Sequence, residues 1–363
     1  MPESVPPTNP PLVRTIALMN QKGGVGKTTT TVNLAAGIAA LGRKVLVIDL
    51  DPQAHASLHL GVDASTLAAL PDDQPRSAYD LLLNPDLDPT PALRPINDNL
   101  SVLPAETDLA GIETELSDID PAERVTRLRK VLDRMGDRFE FVFIDCPPSL
   151  GVLTLNGLAA AREVFIPMQA HFLALQGVSK LLETVGLMCK GVNPRLRVTG
   201  VILCMHDPAS THTKEVVADL AGFFDQTRAS GQDVPWKSAR VLTPPIRRNI
   251  KLAECPSFGK SIFDYAPFCP GALDYKALAE RVVAEWDTLI ARRSETPSQR
   301  VGGEGAGGGL STPAAPITEP KPVPAAASTP EPKPAPVVKA RAPKPAKSSA
   351  NAATASISPE NAA

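Results

Sequence analysis

At 363 residues the chain has room for one large α/β domain or two ordinary ones, and its net charge of −2 conceals an uneven spread: Lys237, Arg240, Arg247, Arg248 and Lys251 fall between Val234 and Ala253 with no acid among them. Its five cysteines form no C-x-x-C pair, which argues against a zinc site and for a reducing compartment. No apolar run approaches the roughly 18–20 residues a membrane helix needs, so the expected location is the cytoplasm.

Residues 1–11 are polar and proline-rich, lack the apolar core of a signal peptide, and read as a flexible N-terminus. From residue 12 to 295, short apolar runs alternate with amphipathic stretches. That pattern predicts one α/β domain, a doubly wound, mainly parallel sheet with helices on both faces. Buried strands are expected over Thr15–Met19, Lys44–Asp49, Leu100–Pro104, Phe139–Asp145, Glu163–Met168 and Val198–Cys204. A helix is expected over Thr28–Leu41, stopped by Gly42. Another should begin at Asp120-Pro121-Ala122-Glu123, a near-complete capping box, with Arg124, Arg127, Arg129 and Arg134 forming a solvated face. Residues 296–363 are Pro, Ala, Gly and Ser with scattered Lys, too poor in apolar side chains to offset their ordering entropy. This segment reads as a disordered tail with polyproline character, either solubilising or in weak contact with nucleic acid or an acidic partner.

The first strand runs into Lys22-Gly23-Gly24-Val25-Gly26-Lys27-Thr28-Thr29. A phosphate loop reads G-x-x-x-x-G-K-[ST]; here Gly26-Lys27-Thr28 closes the pattern, while Gln21 stands at the first glycine position. Backbone N–H groups before a helix line up on an anion, and the glycines let the backbone come close to it. Lys27 then neutralises β- and γ-oxygens and the Thr28 hydroxyl binds Mg²⁺. None of those jobs needs Lys22. It lies on the far rim of the loop, where the nucleotide of a partner subunit is its expected target.

The next strand delivers Asp49-Leu50-Asp51-Pro52-Gln53 to the carboxyl edge of the sheet, where open α/β sheets bind ligands. Two carboxylates two apart on an extended chain end point the same way, toward the γ-phosphate. The plainer reading makes Asp49 a helix cap and Asp51 a turn former. Phe139–Asp145 is mostly apolar and ends in an acid, as does a strand whose terminal carboxylate holds Mg²⁺ through water. His55, His59, His171, His206 and His212 show no ligand spacing.

Together these strings resemble the deviant Walker A motif of the ParA/MinD ATPases, and specifically the ParA/Soj partition branch. The likeness continues through Asp49–Gln53, Cys146-Pro147-Pro148-Ser149-Leu150-Gly151, Leu153–Leu158, Ile166–Gln169, Leu173–Gly177 and Ile250–Lys260, nearly the whole of residues 12–295. About a dozen residues precede the first strand, which resembles the small Soj-like type rather than partition ATPases with an N-terminal operator-binding domain. The resemblance implies a Mg²⁺-dependent ATP hydrolase that closes as an ATP-dependent homodimer, with Lys22 reaching across to the partner's nucleotide. It implies that Asp51 activates water, that Asp49 supports the metal held by Thr28 and Asp145, and that Cys146 is a small buried residue. It also implies non-specific binding of double-stranded DNA over the nucleoid through Lys214 and Arg248, with Arg247 and Lys251 of the same basic run as further candidate DNA contacts. Arg248 and Asn249 would contact the nucleotide as well, and a ParB-like adaptor would trigger hydrolysis during chromosome or plasmid partitioning. Arg247 stands where relatives carry proline. A ParA-like ATPase that positions a protein cargo, a MinD-like membrane-cycling ATPase and a regulator that binds without turnover are the alternative readings.

Overall fold

The computed structural model describes residues 12–71, 73–170 and 173–294. Residues 1–11, expected to be flexible, the tail expected at 296–363 and His171 lie outside the described residues. Among those described, the strands are β1 (Arg14–Leu18), β2 (Val45–Asp49), β3 (Arg94–Asn97), β4 (Leu100–Leu103), β5 (Phe141–Asp145), β6 (Glu163–Met168), β7 (Arg197–Leu203) and β8 (Arg240–Leu242). They form one sheet in the order β3-β4-β2-β5-β1-β6-β7-β8, parallel throughout except for β3 against β4. Every residue of β1, β2 and β5 is buried, which explains why these strands read as continuous apolar runs. The six strands expected from the sequence are present within two residues of their predicted ends. The unexpected β3 and β8 are short edge strands; β3 contains Pro95, tolerable only where one side of the backbone has no partner strand.

Helices cover both faces. On one, α1 (Lys27–Ala40) and the helix Pro270–Ser294 bury Leu34, Ile38, Leu278 and Val282 against Ile16, Val45 and Phe141. On the other, the helices Arg127–Met135, Val152–Ala160, Leu173–Gly191 and Thr211–Ala229 bury Leu128, Leu158, Leu182 and Phe224 against Ala17, Leu46 and Val142. The doubly wound α/β architecture is therefore as expected. Gly42 ends α1 as expected too, at φ +84° with its N–H donating to the Ala39 carbonyl.

The arginine face is a correction. Asp120 caps a short helix, Pro121–Arg124, as its sequence predicts, but a second helix starts at Arg127. Arg127 is buried and donates to the Leu82 and Leu83 carbonyls. Arg129 donates to the Ala159 carbonyl, and Arg124 to those of Ser117 and Ile119. Carbonyls at helix ends lack intrahelical partners, and a guanidinium fork satisfies several at once while its stem packs on apolar surface. Of the four, Arg134 is the exposed one.

Candidate functional site

The loop after β1, residues 19–26, lies at the carboxyl edge of the sheet and feeds directly into α1. Gly24 and Gly26 hold φ values of +70° and +92°, a left-handed backbone that side chains resist. A Cβ placed on Gly23 or Gly24 would meet nothing within 4 Å, so packing is not what keeps these positions bare. The space there suits an approaching anion, facing the N-terminus of a fourteen-residue helix. Lys27 is buried, its amine 3.5 Å from the Lys22 carbonyl, whereas the Lys22 side chain is exposed at the rim.

Strand pairing brings the acids together: Asp49 lies in register with Asp145 across β2 and β5. Asp145 accepts from the Thr28 hydroxyl at 2.7 Å and the Thr31 hydroxyl at 2.8 Å. Asp49 accepts from the Ser57 N–H and hydroxyl, each at 2.8 Å, so it fastens the short helix α2 (His55–His59). Its other oxygen accepts from the Asp51 N–H at 3.1 Å. Asp51 is half-buried and accepts from the Gln53 N–H at 3.0 Å, shaping the turn that follows β2. The cap and turn contacts thus exist, on the sheet edge beside Asp145.

Burial, reinforced by the charge of Asp145, pushes Asp49 up to about 7. Burial pushes Asp145 up to about 6, against the opposing pull of Thr28, Thr31 and Lys27. A hydroxyl and two crowded carboxylates make a hard-oxygen donor set that a divalent cation would relieve, and Mg²⁺ fits it. The crowding has a measurable consequence. Both acids titrate higher folded than unfolded, so the stability they contribute is complete below about pH 4 and lost as pH rises through 6–7. His59, buried and lowered to about 4, acts oppositely, but only below its ordinary value of 6.5. Ligand-free protein is therefore expected to melt at a lower temperature at about pH 8 than at about pH 6.5, and Asp49→Asn to flatten that slope. A melting temperature that rises over this interval would contradict the crowding.

Beside the loop opens a cavity of about 400 Å³, walled by Gly26, Thr29, Met205, Arg248, Asn249 and Tyr275. Its size and apolar floor suit a nucleotide base. The Tyr275 hydroxyl lies 3.0 Å from that of Thr30, tying the helix Pro270–Ser294 to α1 beneath the loop. Arg248 and Asn249 were expected here. Met205 and Tyr275 carry no motif, and the fold alone brings them in; Met205 does so with a strained φ of +51°.

Lys214 is exposed in the first turn of the helix Thr211–Ala229, and Arg248 is exposed in the loop after β8. Arg247 instead forms a fork with Asp274, at 2.7 Å and 2.9 Å, and Lys251 pairs with Glu254 at 2.8 Å. Arg240 pairs with Glu285. The stretch without acids in sequence is thus partly neutralised in space by acids from further along the chain. Cys146 is fully buried against Gly157, where an added Cβ would sit 2.8 Å from its sulfur, and burial pushes the thiol far up. It is a small packing residue, as expected.

Comparison with known proteins agrees with this geometry. The family described as an AAA domain matches residues 13–198. The chain is 44% identical over 272 residues to the chromosome-partitioning ATPase Soj of Thermus thermophilus, covering 75% of this chain and 96% of that one. It is 40% identical to the Soj of Treponema pallidum, covering 75% and 97%. Its fold also matches the crystal structure of cobyrinic acid a,c-diamide synthase from Mycobacterium smegmatis with bound ADP and magnesium. That match has a TM-score of 0.59 and 35% identity, over 76% of this chain and 96% of that one.

Proposed function

Because this chain belongs to the ParA/Soj/MinD family of P-loop ATPases with a deviant Walker A loop, and so hydrolyses ATP with Mg²⁺, we propose that ATP closes two copies into a sandwich that binds DNA during chromosome or plasmid partitioning. The observation that carries this reading is the division of labour between two lysines. Lys27 fills the inside of the loop, its amine beside the Lys22 carbonyl, while Lys22 itself is exposed at the rim. A second cation at that place suits phosphates that do not belong to its own loop.

Within each subunit, the loop N–H groups of Gly23 to Thr29 and the Lys27 amine bind the phosphates. Thr28, Asp145 and Asp49 would hold Mg²⁺, which would supply charge neutralisation for the phosphates. Asp51, half-exposed on the turn after β2, orients the attacking water. Arg248 and Asn249 flank the base. Turnover is slow until two subunits and an adaptor of the ParB kind complete the site, because positioned charges act fully only once assembled. The partition role is supported by the Soj relatives, which bear that function in their names.

Among the described residues no helix is long and apolar enough to cross a membrane. A nucleoid location follows from the DNA contacts, which we assign first to Lys214 and Arg248. Arg247 and Lys251 contribute less, since Asp274 and Glu254 already balance them. Taking one cation away from a DNA phosphate lowers the salt slope of binding by about one. Arg248→Ala should therefore flatten the salt dependence on a random-sequence duplex by roughly two per dimer, and Lys214→Ala should do the same. Fluorescence anisotropy with ATP measures it. Unchanged slopes in both variants would remove these residues from the DNA interface.

A further inference from the structure

The loop that carries Lys22 is fastened to a neighbouring strand by two amide side chains. Asn20 accepts the Lys22 N–H on its side-chain oxygen at 3.0 Å and donates its amide to the Pro167 carbonyl at 2.8 Å. Gln169, two residues further on from Pro167, donates to the Gly24 carbonyl at 3.2 Å and to the Met205 sulfur at 3.0 Å. Pro167 and Gln169 sit at the carboxyl end of β6, away from the side of the loop where Thr28 meets Asp145. Residues 20–24 are thus tied at both ends to the carboxyl end of β6, while the start of α1 is held separately by the bond from Thr28 to Asp145 of β5.

We propose that Asn20 and Gln169 are positioning residues for Lys22, an amide clamp that fixes the rim of the loop so that the lysine is aimed before a second nucleotide arrives. This rests on the reading of Lys22 as a group acting in trans. A glycine at the start of an ordinary phosphate loop adapts its backbone freely; here Gln21 occupies that place, and the turn is shaped by the Asn20 side chain instead. Such a turn narrows the directions open to Lys22 and lowers the entropy lost when its amine is immobilised. Gln169 adds a link from the rim, through Met205, to the wall of the 400 Å³ cavity beside the loop. Met205 keeps its unfavourable backbone at that junction.

The test separates aiming from folding and from binding. Asn20→Ala, Asn20→Asp and Gln169→Ala would be compared with Lys22→Ala, using a fluorescent ATP analogue for affinity and light scattering for association. The clamp predicts nucleotide affinity within about threefold of wild type and dimerisation weakened about tenfold in Asn20→Ala. Asn20→Asp, which keeps the acceptor for Lys22 but loses the donor to Pro167, falls between. Loss of nucleotide affinity in step with dimerisation would make the role merely structural and overturn the proposal. Normal dimerisation in Asn20→Ala alongside failure of Lys22→Ala would sink the clamp alone. Normal dimerisation in Lys22→Ala would bring down the trans reading, and the clamp with it.

Discussion

Lys27→Ala is expected to lose ATP affinity by about 100-fold or more while keeping the wild-type fold. The amine lies inside the glycine loop and is largely shielded from solvent, so its attraction to phosphate oxygens is screened little. Truncating one partner of a buried, hydrogen-bonded charge pair costs about 2–5 kcal/mol, and each 1.4 kcal/mol is about a factor of ten. The packed face of α1 is made by Leu34 and Ile38 rather than by this side chain. Isothermal titration with Mg-ATP measures the change. Affinity within threefold of wild type would mean that the phosphates lie elsewhere.

The second large effect belongs to Lys22→Ala. ATP should still bind, because Lys27, Thr28 and the loop amides are untouched, but association in the presence of ATP should weaken by about 100-fold or more. Two symmetry-related interactions disappear from each dimer, and a hydrogen bond to a charged group contributes about 1.5–3 kcal/mol. ATP turnover should fall with association. Sedimentation at several protein concentrations separates this outcome from a binding defect. A variant that associates like wild type would confine Lys22 to its own subunit or to solvent.

The parts of this protein governed by local chemistry were legible in its sequence. Strands buried on both faces announce themselves as apolar runs, and glycines before a Lys-Thr pair mark a phosphate loop. β3 and β8 were not legible, because three or four residues at a sheet edge carry no periodic signal. Nor was the burial of Arg127, since its partners are carbonyls more than forty positions away in the chain. At the site, Asp49, Asp145 and Thr28 were read from motifs, whereas Tyr275 and Met205 arrive through topology. The same long-range pairing explains why the basic run after Val234 misleads: Asp274 and Glu285 sit on a helix that returns past it.

In the proposed sandwich, two subunits share their nucleotides. A crystal structure grown with Mg²⁺ and a non-hydrolysable ATP analogue tests it most directly. Two copies should face each other across their phosphate loops, each Lys22 amine within hydrogen-bonding distance of the other's triphosphate. Single protomers, or a Lys22 folded back onto its own nucleotide, would contradict it.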